Sequence, residues 1–244
     1  MIRKIIVYLF FCTVALIVFQ VIRIFWYSQK GRRIYTTIPF QRNNLNASLK
    51  ILFIGDSTAV GTGAQSNEKS VAGYFGRDFP SAHIVNLGQN GRRFHDLIRD
   101  FNPPKDERYT LVIAQIGAND ILHFTPFKNI ERDLSIIVSR AKSIADHVVI
   151  LHCGNVGAAP IFFWPFNLIY TERTRKARSI YIKTAKEKGI FYIDLFEELS
   201  DDMFLKDVNR FYCPDYLHPS GDGYLMWYNK IRETLNKAKI SLRD

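Results

Sequence analysis

A serine, a histidine and an aspartate sit in this chain at positions suited to acyl transfer. Ser57 lies in Gly55-Asp56-Ser57-Thr58, and the other two lie in Asp215-Tyr216-Leu217-His218-Pro219. Breaking an ester needs a hydroxyl nucleophile, a base within hydrogen-bond reach, a carboxylate to orient that base, and N–H donors for the oxyanion. His218 is the candidate base, and Asp215, three residues earlier, can reach its other ring nitrogen. The candidate oxyanion donors are the backbone N–H groups of Ser57 and Gly88 and the side-chain amide of Asn119. They come from Gly55-Asp56-Ser57-Thr58, Gly88-Gln89-Asn90-Gly91 and Gly117-Ala118-Asn119-Asp120, and glycine at 88 permits close backbone approach. Each residue alone has a plainer reading: Ser57 as a cap, Gly88 and Asn119-Asp120 as turn chemistry, His218 as a loop histidine, Asp56 as a partner for turn amides. Their conjunction, in order along the chain, carries the expectation.

Other motifs fail on inspection. The stretch from Gly55 to Thr62 is as glycine-rich as a phosphate-binding loop, but no Lys follows Gly61. A dinucleotide fingerprint would need glycines at 61, 63 and 66, and position 66 is Ser66. The G-x-S-x-G elbow is missing because position 59 is Ala59. His83, His95, His123, His147 and His152 lack metal-ligand spacing, so neither metal nor cofactor is expected.

The elements that must position these residues follow from periodicity. Runs at 50–54, 83–87, 111–116, 147–153 and 190–195 are short, rich in β-branched residues and several are apolar at nearly every position. Such runs suit central strands of a parallel sheet covered on both faces. Helices are expected at 71–79, 94–101, 129–145, 172–188 and 220–239, the fourth ending at Gly189 as a C-cap. Within 129–145, Ile130, Leu134, Ile137, Val138, Ala141 and Ile144 share one face. Strand–helix alternation of this kind predicts an α/β domain, a three-layer α/β/α sandwich around a parallel sheet of about five strands. Ligands of such sheets bind outside the carboxyl ends of the strands, where the four motif segments fall.

These four segments resemble those of the SGNH/GDSL hydrolase superfamily of serine esterases and lipases. Gly55-Asp56-Ser57 matches its first block, with Thr58 where the namesake motif has Leu; Gly88, Gly117-Ala118-Asn119-Asp120 and Asp215-Tyr216-Leu217-His218-Pro219 match the others. The resemblance spans about residues 50–239. It implies a flavodoxin-like fold and a serine ester hydrolase forming an acyl-enzyme. By that resemblance Ser57 is nucleophile, His218 base, Asp215 its partner, and Gly88 and Asn119 join Ser57 in the oxyanion hole. An acyltransferase sharing the acyl-enzyme, or a non-catalytic binding or scaffold protein on the same fold, are the alternatives.

The net charge of +10 at first suggests nucleic-acid binding, but its distribution argues against it. Residues 1–33 hold Arg3, Lys4, Arg23, Lys30, Arg32 and Arg33 and no acid, leaving 27 of the 33 cations against all 23 acids. Between the first two cations and Arg23, residues 5–22 are apolar save Thr13 and Gln20. Such a run spans about 27 Å as a helix, close to the hydrocarbon thickness of a bilayer. Trp26 and Tyr27 suit the interfacial belt, and no small-x-small cleavage site follows the run. Residues 1–33 therefore read as an uncleaved single-pass membrane anchor, with a signal peptide or a buried core helix as the other readings. The flanking cations lean only slightly towards a cytoplasmic domain. Residues 34–49 read as a linker and 50–244 as the hydrolase domain.

The candidate substrate is an acyl ester, a lipid among the options. Phe162, Phe163, Trp164 and Phe166 stand in a dense aromatic loop at 160–170. That loop is expected either to be buried structure, to line an acyl groove, or to dip into a bilayer surface. The following helix carries Arg173, Arg175, Lys176, Arg178, Lys183, Lys186 and Lys188 against two acids, which is either a solvated face or a contact for anionic headgroups.

Overall fold

The computed structural model describes residues 1–34, 38–103 and 107–243, residues 31–34 by backbone alone. Residues 35–37 of the expected linker, Pro104, Asp244 and the side chains of Arg32 and Arg33 lie outside the described residues. A long helix α1 (Ile2–Ile34) comes first, then β1 (Lys50–Gly55), a one-turn α2 (Ser57–Val60), α3 (Val71–Asp78), β2 (His83–Asn86) and α4 (Phe94–Asp100). There follow β3 (Tyr109–Gln115), α5 (Ala118–Leu122), α6 (Phe127–Ile144), β4 (Ala145–Leu151) and α7 (Phe166–Lys188). The chain closes with β5 (Phe191–Ile193), α8 (Met203–Lys206), α9 (Val208–Phe211) and α10 (Gly221–Lys237).

All five strands are parallel, in the order β2-β1-β3-β4-β5. Phe53 stands opposite both Asn86 and Ile113, and Leu151 opposite both Gln115 and Ile193. Because side chains alternate across a strand, an unbroken apolar run supplies both faces at once. Ile51, Phe53, Leu111, Ile113, Val149 and Leu151 pack with α3 and α10, against Phe75, Trp227 and Ile231. Leu52, Ile54, Val112, Ala114, Val148 and Ile150 pack with α4, α6 and α7, against Leu97, Leu134 and Tyr181. The six apolar residues expected on one face of α6 are all buried. The molecule is thus the expected three-layer α/β/α sandwich.

Boundaries differ where tertiary contacts intervene. β4 starts at Ala145 because that residue pairs with Tyr109. β5 stops after three residues, since the Asp194 carboxylate turns to Arg178 and to the Phe196 N–H. α7 begins at Phe166, six residues before the expected start. Its first turns are pressed onto the 155–157 turn: Thr171 Oγ1 donates to Asn155 Oδ1 at 3.1 Å and Val156 N–H to Thr174 Oγ1 at 3.3 Å. Half of the expected aromatic loop is therefore helix.

In α1, residues 2–30 are long and apolar enough to cross a membrane, and most of their apolar side chains are exposed. The C-terminal part of this helix packs on the domain through Gln20, Arg23 and Tyr27.

Candidate active site

The turn that carries Ser57 is dictated by close packing at the end of β1. Gly55 has φ of 149°, and a Cβ there would stand 1.8 Å from the Gln115 carbonyl oxygen, so only glycine lets β1 lie this close to β3. Asp56 caps α2, accepting from Thr58 N at 2.9 Å, Thr58 Oγ1 at 2.8 Å and Gly117 N at 3.2 Å. Burial pushes the Asp56 carboxyl above its ordinary pKa despite these bonds. Two amides from the neighbouring strands hold α2 from either side. Asn86, the last residue of β2, donates to Ala59 O at 2.8 Å, and Gln115, the last of β3, donates to Thr58 O at 3.3 Å.

His218 reaches this turn from across the chain. The Ser57 hydroxyl and His218 Nε2 are 2.9 Å apart, and His218 Nδ1 is 2.6 Å from Asp215 Oδ2. The other carboxylate oxygen, Asp215 Oδ1, accepts from Leu217 N at 2.8 Å and His218 N at 2.9 Å. The loop is closed by Cys213 N–H donating to His218 O and Tyr216 N–H to Cys213 O, both at 2.9 Å. Gly63 (φ 97°) packs behind it, where a Cβ would stand 2.5 Å from Pro219 O and 2.9 Å from His218 Cβ. Burial disfavours the imidazolium, but the hydrogen bond and charge of Asp215, aided by Asp56, outweigh it, so the His218 pKa stands above the ordinary value. Asp215 is held below the usual carboxylate range, since His218, Cys213 and the loop amide outweigh the cost of its burial.

Ser57, His218 and Asp215 line one cleft of about 410 Å³ at the carboxyl ends of the strands. Asn119 lines it too, at the start of α5, with Nδ2 3.2 Å from Arg92 O. An amide nitrogen carries two hydrogens, so that bond orients the group and leaves one donor over. The neighbouring Asp120 is buried, accepts the Phe94 N–H at 3.0 Å, and has its carboxyl pushed up to about 6 by burial. Among the described residues no three His, Cys, Asp or Glu side chains cluster so as to hold a metal ion.

Two sequence expectations need correction. Gly88 is not free to serve as a donor. Its N–H donates to Asn86 Oδ1 at 2.9 Å, it does not line the cleft, and a Cβ there would meet Val60 N at 2.8 Å. Gly88 instead lets β2 close against α2. Gly91, three residues on, does line the cleft, has φ of 75°, and would have open space around a Cβ. The second glycine of Gly88-Gln89-Asn90-Gly91 was the signal that could have found it. Likewise Phe162, Phe163, Trp164 and Phe166 do not line the cleft. Phe162 is buried against Tyr170, Phe163 packs edge-on to Phe19 and Phe166, and Trp164 is exposed. From that segment it is Ile161, with Ala159 just before it, that lines the cleft. Cys153 and Cys213 are free thiols, the first on the cleft wall.

Comparison with known proteins agrees with this architecture. Residues 53–226 match the family described as GDSL-like lipase/acylhydrolase. A solved member of the lipolytic G-D-S-L family from Veillonella parvula is 17% identical, with a TM-score of 0.59 over 78% of this chain and 99% of that one. The lipase/acylhydrolase from Enterococcus faecalis is 18% identical, with a TM-score of 0.59 over 80% and 99%. The acetylxylan esterase Axe2 from Geobacillus stearothermophilus is 19% identical, with a TM-score of 0.54 over 82% and 98%. At these identities the likeness is one of fold. No curated protein matches the chain.

Proposed function

As a member of the GDSL-like lipase/acylhydrolase family the chain is a carboxylic ester hydrolase, and we propose that it acts through Ser57, His218 and Asp215 while α1 holds it to a membrane. The observation that carries the reading is the hydrogen-bonded relay at the cleft, 2.9 Å from Ser57 to His218 and 2.6 Å from His218 to Asp215. In the first step the Ser57 oxygen attacks the ester carbonyl carbon and its proton passes to His218 Nε2. Asp215 accepts from Nδ1–H, which keeps Nε2 free to take that proton and stabilises the imidazolium. The oxyanion is met by the Ser57 N–H, the Gly91 N–H and the second Asn119 amide hydrogen; the Gly91 assignment replaces the expected Gly88. Collapse expels the alcohol, which takes the proton from His218 and leaves an acyl-Ser57. Water, deprotonated by His218, then attacks the acyl carbonyl, releasing the acid and restoring the Ser57 hydroxyl.

The membrane part of the reading rests on α1. A cleaved signal sequence would leave with Gln20, Arg23 and Tyr27, and the domain would lose the side chains these pack against it. Exposed apolar residues along the rest of the helix suit a lipid surround.

Hydrolysis of aryl acyl esters by the full chain tests the catalytic part. Wild type should turn over and Ser57→Ala should fall to background. Equal rates for the two, with both folded, would remove Ser57 from the mechanism.

A further inference from the structure

Gln20 is an anomaly for a plain membrane anchor. It is polar, lies near the end of an apolar span, and is only 4% exposed, whereas the other described residues of α1 are exposed or half-exposed. Its Nε2 donates to Ile161 O at 3.0 Å, and its Oε1 faces the Phe163 N–H at 3.5 Å. One turn on, Arg23 donates to Ile161 O at 3.1 Å and to Pro160 O at 2.6 Å. After a further turn, Tyr27 packs edge-on to Tyr216 with ring centroids 4.8 Å apart. Tyr216 stands between Asp215 and His218, at φ of 55°, and its carbonyl accepts the Ile161 N–H at 3.1 Å. The helix is thus clamped onto the 160–163 segment and onto the loop that carries the base and its carboxylate.

Gln20, Arg23, Ile24, Tyr27 and Ser28 fall at i, i+3, i+4, i+7 and i+8, which is one face of a helix. Within that face Ile24 and Ser28 line the same cleft as Ser57 and His218. A membrane tether needs only a length of apolar helix. It does not need a polar clamp, and it does not need to wall a catalytic cleft.

We propose that α1 is part of the active site, its Ile24 a specificity-determining side chain against which the acyl group of a substrate entering beside the anchor is packed. This rests on the ester hydrolase reading. Gln20 and Arg23 are then positioning residues, fixing the wall relative to the Asp215–His218 loop. The same cleft is lined by Ile161, Val156 and Leu122, so the space between Ile24 and these side chains sets how long or wide a chain is accepted.

The test uses the full chain in detergent micelles and two phosphonates that differ only in carrying a methyl or an octyl group. Their rates of adduct formation at Ser57 are read by mass spectrometry. Ile24→Trp should slow the octyl reagent about tenfold or more relative to the methyl reagent, the order expected for a pocket that loses room for a methylene or more. Ile22→Trp, on the exposed opposite side of α1, should leave the ratio at its wild-type value. An unchanged ratio in Ile24→Trp, with methyl labelling intact, overturns the proposal while leaving the hydrolase reading in place. Should Ile24→Trp lose both reactions, Ile24→Ala decides: a ratio shifted towards octyl supports the wall, and an unshifted one refutes it. Failure of folded wild type to label with either reagent would sink the hydrolase reading and this proposal together.

Discussion

Replacing Asp215 by Asn should disable the site through a tautomer rather than through lost packing. Asp215 Oδ1 accepts two backbone N–H groups, from Leu217 at 2.8 Å and His218 at 2.9 Å, and Oδ2 meets His218 Nδ1 at 2.6 Å. In Asp215→Asn the amide oxygen must keep the Oδ1 position, because two donors point at it. The amide NH₂ then faces Nδ1 and donates to it, which fixes the ring proton on Nε2. That nitrogen, 2.9 Å from Ser57, can no longer accept the serine proton. The expected loss in kcat is about 10³–10⁴-fold, or roughly 4–5.5 kcal/mol of transition-state stabilisation. The pH profile should move as well. In the proposed mechanism activity needs neutral His218, whose pKa is raised chiefly by Asp215 against the effect of burial. Rates therefore rise with pH through a midpoint above the usual imidazole value. Without the carboxylate, burial acts almost alone and favours the neutral ring, so the residual activity should rise through a lower midpoint. The assay is kcat/KM for a soluble aryl ester from about pH 4 to 9 in both proteins. Activity within tenfold of wild type, or an acid limb displaced to higher pH, would refute the argument.

Other perturbations probe separate parts of the account. Asn119→Ala should lower kcat by about 10²–10³-fold if the amide is an oxyanion donor; an effect of only a few-fold would remove it. Gly88→Ala forces a Cβ to within 2.8 Å of Val60 N and should destabilise the fold by roughly 1–3 kcal/mol. Gly91→Ala meets only the strain of its positive φ, on the order of 1 kcal/mol, so thermal melting should rank the two; the reverse order would contradict the roles given to these glycines. His152 is fully buried, neither ring nitrogen has a hydrogen-bond partner among the described residues, and burial brings its pKa down to about 4. The unfolded chain binds this proton below about pH 6.5 and the folded chain does not, so folding loses up to about 3 kcal/mol as pH falls from 6.5 to 4. His152→Leu should flatten that part of the stability–pH curve, as measured by urea denaturation, and parallel curves for the two proteins would count against it.

The layering was open to sequence reading because burial on both faces leaves a plain mark. Strands such as 51–54 must be apolar at every position to feed two cores. The candidate active-site segments are visible because each combines a strand end with a residue type that the proposed chemistry requires. What failed was resolution within a segment. Gly88 and Gly91 look alike in the sequence, but the Gly88 N–H is already bonded to Asn86, two residues before it, while Gly91 lines the cleft. The aromatic segment misled because composition cannot say which rings face the cleft. Their fate was set by Asn155 and Thr171, which wind 166–170 into α7, and by Phe19 on α1. In the sequence Gln20 and Arg23 stand out only as an interruption and a flank of the span. Their spacing with Ile24, Tyr27 and Ser28 was in the sequence, but the partner of that face lies some 140 residues away.

The central claim is that Ser57, activated by His218, is the nucleophile. Reaction of the folded protein with a serine-directed phosphonate, followed by intact-mass measurement and peptide mapping, tests it most directly. One adduct per chain is expected, located on Ser57, absent in Ser57→Ala and slowed severely in His218→Ala. An adduct on another residue, or none on folded wild type, would contradict the account.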